Sequence, residues 1–237
     1  MRQEDLQSTE MHSSPESATI QADVVFSLRF WREDTMYYLS ELLVAAATIG
    51  SWIHMFQKGG EKLLSRRGLS SLKYYTTLSN LFAGIVSLLI LLHVISGGKG
   101  SVSPLLSLLK YSSSVSVALT FLVVLVFLGP RMGYRPLFAE EQLFLHAIGP
   151  LLAILTFIFS PLLSPLTFRD SFLALIPTLL YAVVYAGNIL KNGFGEGENT
   201  NDWYGFGIGG VKTFPVVILI VLTVTWGLAM ALLRLRG

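Results

Sequence analysis

Six apolar runs, each long enough to cross a bilayer, constrain this chain more than any other feature. The clearest follows Lys73, opens as KYYTTLSNLFAGIVS over residues 73–87 and continues to about residue 95. Roughly 20 apolar residues span a hydrocarbon core as a helix, and in lipid only helices and closed barrels satisfy their own backbone groups. The other runs cover about 35–56, 110–128, 141–159, 171–190 and 214–233. They predict an all-α polytopic membrane protein, a six-transmembrane-helix bundle over residues 35–237. Residues 1–34 are polar and lack a basic segment leading into an apolar core, so they read as a disordered or interfacial tail and not a secretory signal.

Composition agrees. Charged residues make up 14% of the 237, against about 25% in soluble domains, and the mean hydropathy is +0.61. A net charge of +2, with no basic cluster interleaved with exposed aromatics, argues against nucleic acid as a partner. The chain has no cysteine, which removes thiol nucleophiles, thiolate metal sites and disulfides. Its four histidines, at 12, 54, 93 and 146, never pair at a spacing that sets two ligands on one helix face. Neither a metal nor a cofactor is expected.

The second run is not uniformly apolar. Thr76 and Asn80 are four residues apart and share a helix face, which Gly84 and Ser87 continue. Two readings of that face stand. Small and hydroxylated residues let helices approach closely, or Thr76 is a nucleophile, with Thr77 beside it as the alternative. In the fourth run, LFLHAIGPLLAI places His146 four residues before Pro150. Proline has no N–H to give the His146 carbonyl, and an ionisable side chain in an apolar helix needs a partner or a function. In the fifth run, Pro177, Tyr181, Tyr185 and Asn188 recur at helical spacing.

Six crossings return both termini to one side. Thr76 and His146 then lie about one turn inside parallel helices from the opposite side. Tyr185 and Asn188 close the fifth helix there, and the glycine-rich loop carrying Trp203, Tyr204 and Phe206 covers it. A hydroxyl and an imidazole at one depth match nucleophilic acyl transfer. Asn80, Tyr181, Tyr185 and Asn188 are the candidates for binding substrate or an oxyanion. The third helix is expected to begin near Lys110 and to stop at Gly129-Pro130.

At YYTTLSN (74–80) and LHAIGP (145–150) the sequence resembles the androgen-induced hydrolase family, and it looks closest to that family's bacterial relatives. The tyrosines of the fifth helix and WYGF (203–206) look similar more loosely. The likeness covers about residues 35–233. It implies a six-helix membrane protein, in a bacterial plasma membrane, that hydrolyses fatty acid esters of hydroxy fatty acids. It also implies a threonine nucleophile at Thr76 and a catalytic histidine at His146, acting on a membrane lipid or fatty acid ester. One departure stands out: where hydrolase members carry an Asn-His pair, this chain has Gln142 and Leu143. A carrier or lipid-binding protein using the same pocket is the alternative. Against a transporter stand the lack of internal repeats and of polar breaks at mid-membrane.

Overall fold

The computed structural model describes residues 35–57, 70–96, 100–195, 200–207 and 209–237. The polar segment 1–34 and most of the basic loop after the first run lie outside them. Six helices are long and apolar enough to cross a membrane, as expected for a multi-pass membrane protein: α1 (Thr35–His54), α2 (Tyr75–Ile95), α3 (Pro104–Met132), α4 (Glu141–Ile158), α5 (Phe168–Asn192) and α6 (Val211–Arg236). Among the described residues there is no strand.

The centre of the bundle is α3. Two-thirds of its most apolar window is buried (67%), against 17% for α6. Its serines explain the difference. Ser112, Ser113, Ser114 and Ser116 are buried, and their small side chains let α2, α4 and α6 pack close around one helix. Ser113 and Ser116 return their hydroxyls to the Lys110 and Ser112 carbonyls. Ser114 instead donates across to the Ala153 carbonyl of α4 at 3.1 Å. Ser79 of α2 meets Thr120 of α3 at 2.8 Å, and the Tyr111 hydroxyl donates to the Ala229 carbonyl of α6 at 2.7 Å. Where lipid is as apolar as leucine, such polar links replace the hydrophobic force between helices.

Two expectations about α3 need correction. The helix begins at Pro104, not near Lys110. Ser103 caps it by accepting from the Leu106 N–H, and proline at the first turn needs no N–H. Lys110 therefore lies inside the bundle, where its ammonium meets the Glu41 carboxylate of α1 at 2.6 Å and Ser87 of α2 at 3.3 Å. The two charged side chains are 1% and 0% exposed.

Nor does α3 stop at Gly129-Pro130. It widens into a π-helical turn over Val124–Leu128, with the Gly129 N–H reaching back to Val124, and continues to Met132. The same device recurs in α4, where a π-turn over Phe144–Ile148 precedes Gly149-Pro150. A proline ring clashes with the carbonyl of an ordinary preceding turn, and the wider turn makes room for it. A third π-turn, Ala46–Gly50, lies in α1.

The π-turns of α1 and α4 pack against each other. At this level α1, α2 and α4 come closest. A Cβ on Gly149 would stand 2.8 Å from the Phe144 carbonyl, 2.9 Å from Thr48 and 3.1 Å from Asn80 Oδ1. Only glycine fits there.

Candidate functional site

The start of α2 is held from three directions. Tyr74 caps it in an extended conformation with no side-chain acceptor, so the first N–H groups need other partners. One comes from the loop before α6: the Tyr75 N–H donates to the Tyr204 hydroxyl at 2.8 Å. Burial pushes the Tyr204 phenol well above its ordinary value of 10.0, and neighbouring Tyr181 adds to the shift. From α5, the Tyr181 hydroxyl donates to the Lys73 carbonyl at 2.7 Å and accepts from the Trp203 indole at 3.0 Å. The Tyr75 hydroxyl meets Thr178 of α5 at 2.7 Å.

Asp202 organises the covering loop. Its carboxylate accepts from the Tyr185 hydroxyl and from the N–H groups of Phe206 and Gly207 at 2.9 and 2.8 Å. Gly205 turns the chain with φ +69°. An Arg131 guanidinium nitrogen lies 2.5 Å from where its Cβ would be. Phe194, Trp203, Tyr204 and Phe206 pack against the buried cluster of Tyr185, Ile189 and Phe214.

Beside these contacts lies a cavity of about 70 Å³, lined by Tyr75 and Thr76 of α2 and by residues of α3, α5, α6 and the loop, among them Tyr181, Tyr185 and Tyr204. On the far side of Tyr75, Tyr181 and Tyr185 runs a groove of about 840 Å³ between α2 and α5. Leu78, Phe82, Pro177, Leu180 and Val184 line its apolar length, and Lys73, Asn188, Thr200, Asn201 and Trp203 form its polar end. Leu180 and Val184 are 62% and 70% exposed, so the groove opens sideways toward lipid.

The candidate residues separate into three groups. Thr76, Tyr181 and Tyr185 line the small cavity, and Tyr181, Tyr185 and Asn188 line the groove. Asn80 lines neither. It is fully buried, and its Nδ2 donates to the Thr76 carbonyl at 2.8 Å and across to the Leu145 carbonyl of α4 at 2.9 Å. With both bonds made by the amide nitrogen, its buried Oδ1 faces Gly149 and has no hydrogen-bond partner among the described residues.

His146 is also buried, in the π-turn of α4. Its Nδ1 faces the Leu137 carbonyl at 2.6 Å. A carbonyl only accepts, so Nδ1 carries the proton and the neutral ring keeps its lone pair on Nε2. No hydrogen bond joins His146 to Thr76 among the described residues, and the imidazole lines neither space. The expected shared cavity of Asn80 and Tyr185 does not form, because the Asn80 amide is drawn to α4 instead.

The sequence assigns no role at this site to Lys73, Tyr75 or Asp202. Lys73 stands just outside the apolar run, and the N–H and O–H groups that Asp202 binds are brought to it only by the folded loop. No group of three or more His, Asp or Glu side chains among the described residues could hold a metal ion. Set against models of protein families, curated proteins and solved structures, the chain matches none.

Proposed function

We propose that this membrane protein binds a single lipid in the groove between α2 and α5, as a lipid-binding or lipid-carrying protein. The groove itself carries the reading. It is apolar along its length, polar at one end and open to the side, the pattern of a pocket that buries a chain and fixes a head. From Asn188 to Pro177 is eleven residues of α5, or about 16 Å of helix, close to half of a hydrocarbon core about 30 Å thick. A lipid of the surrounding leaflet can therefore enter without leaving its own depth. A bacterial plasma membrane, implied by the family resemblance, is the proposed setting.

The test is native mass spectrometry of the delipidated protein with added lysolipids, beside the Val184→Trp variant. Val184 faces outward, so tryptophan fills the groove without entering the core. The wild type should retain one lipid and the variant should lose it. Equal retention by both would remove the groove from the proposal.

A second reading is favoured by one observation, the orientation of His146. With Nδ1–H held by a backbone carbonyl, Nε2 is the free basic nitrogen, as a general base requires. On this reading, and on the resemblance at YYTTLSN and LHAIGP, the protein is a lipid ester hydrolase or acyl transferase. The Thr76 hydroxyl would attack the acyl carbonyl while its proton passes to His146 Nε2. That proton would leave with the alcohol, and water or a second alcohol would release the acyl group from Thr76. Thr76 and His146 must close on each other when substrate binds. Fluorophosphonate labelling of the wild type, lost in both Thr76→Ala and His146→Ala, is the expected result. Labelling that persists in both variants rejects this chemistry.

A further inference from the structure

We propose that the groove selects its lipid by headgroup, taking a single-chain lipid whose phosphodiester carries a hydroxylated head of the phosphoglycerol type. This deepens the lipid-binding reading and rests on it. The polar end of the groove offers two unlike surfaces. One is the Lys73 ammonium, which lies 5.1 and 5.3 Å from the ring centres of Tyr74 and Trp203. Those rings hold the cation over their faces at the membrane boundary. Among the described residues no carboxylate pairs with it. Asp202 in the covering loop is turned toward Tyr185 and two backbone N–H groups. A charge at the edge of an apolar groove, unanswered by any carboxylate among the described residues, calls for an anion.

The other surface is a pair of amide oxygens. Asn188 Nδ2 donates to Asn201 Oδ1 at 3.2 Å, and Asn201 Nδ2 donates to the Gly193 carbonyl at 2.9 Å. Asn192 donates to Asn188 Oδ1 at 2.7 Å. Thr200 directs its hydroxyl to the Phe194 carbonyl at 3.2 Å. Asn201 Nδ2 also reaches the Asn192 carbonyl at 3.5 Å, and Asn188 Nδ2 keeps one hydrogen, while the Asn188 and Asn201 oxygens have each accepted one bond among the described residues and have capacity for a second. The groove mouth therefore presents a cation beside acceptors.

A fatty acid carboxylate would answer the cation and leave the acceptors unmet. A choline head carries its own cation toward Lys73 and has no N–H or O–H to donate. A phosphate with a glycerol head satisfies both surfaces: its anionic oxygens meet Lys73, and its hydroxyls donate to the amide oxygens. Leu78, Leu180 and Val184 line the apolar stretch along which the acyl chain would lie.

The full chain, purified in an uncharged detergent and delipidated, tests this by titration with three ligands of equal chain length. They are lysophosphatidylglycerol, lysophosphatidylcholine and the free fatty acid. Lysophosphatidylglycerol should bind about tenfold or more tightly than either of the others, the scale of one charge-assisted hydrogen bond. Lys73→Gln should erase that preference and leave lysophosphatidylcholine unchanged. Lys73→Arg should keep it, which excludes a folding defect. Raising the salt concentration should narrow it.

Equal binding of the two lysolipids, or no effect of Lys73→Gln, overturns the headgroup assignment and leaves the groove a general lipid site. Preference for the fatty acid overturns it through the acceptor half. Failure of all three to bind, or binding untouched by Val184→Trp, removes the lipid-binding reading beneath it.

Discussion

Removing Lys110 while leaving Glu41 splits a charged pair inside the bundle. Both side chains are buried, at 1% and 0% exposure, with 2.6 Å between ammonium and carboxylate. The Lys110→Met variant keeps most of the side-chain volume but takes the ammonium away from the buried Glu41 carboxylate. Breaking a buried pair from one side costs about 3–5 kcal/mol. That is a large part of the roughly 5–15 kcal/mol by which folded proteins are stable. The double variant Glu41→Gln/Lys110→Met has no charge to strand. Replacing a whole buried pair with uncharged groups of similar size is often neutral or even stabilising, so the double variant should recover most of the loss. The assay is equilibrium unfolding in mixed detergent micelles, followed by tryptophan fluorescence, for the wild type, both single variants and the double. The coupling between the two sites should be favourable and about 3 kcal/mol or more, at least the part of the Lys110→Met loss that the double variant recovers. If Lys110→Met unfolds within about 1 kcal/mol of wild type, or the double variant is as unstable as the single, then burial of the pair does not govern α1–α3 packing.

Further outcomes follow from other contacts. Gly149→Ala should destabilise by about 1–3 kcal/mol, since its Cβ would meet the Phe144 backbone carbonyl at 2.8 Å; Gly227→Ala, with nothing within 4 Å, is the neutral control. Asp202→Asn should loosen the covering loop, read as faster hydrogen exchange at the Phe206 and Gly207 amides, because a carboxylate there accepts both N–H groups. Unchanged protection would show that the aromatic packing alone holds the loop. Because burial raises the Tyr204 phenol above 10.0, the unfolded chain releases that proton first as pH rises. Stability should therefore fall above about pH 10, and Tyr204→Phe should flatten that fall in unfolding midpoints measured from about pH 8 to 11.

Much of this architecture is legible in the sequence. Apolar length alone determines six crossings, because a backbone in lipid must close its hydrogen bonds within each segment. The hydroxyl-rich face of α2 was readable as a packing seam, and of its Thr76, Asn80, Gly84 and Ser87 the last three are buried. The tyrosines of α5 were readable as one face, since the helical repeat of about 3.6 residues sets it. What periodicity cannot encode is which neighbour each face meets. Thr76 and His146 share a depth in the sequence reading, yet Thr76 lines the tyrosine cavity while the His146 ring turns to the Leu137 carbonyl. The rotation of each helix about its own axis decides that, and the π-turns in α1, α3 and α4 shift those rotations by amounts that no count of residues gives. Lys110 shows the same limit. A lysine beside an apolar run reads as its boundary, and only a carboxylate on α1, 69 residues away in the chain, makes its place inside the bundle possible. Glu41 could not be matched to it from spacing, because the partner of a buried charge is chosen by tertiary packing and not by sequence distance.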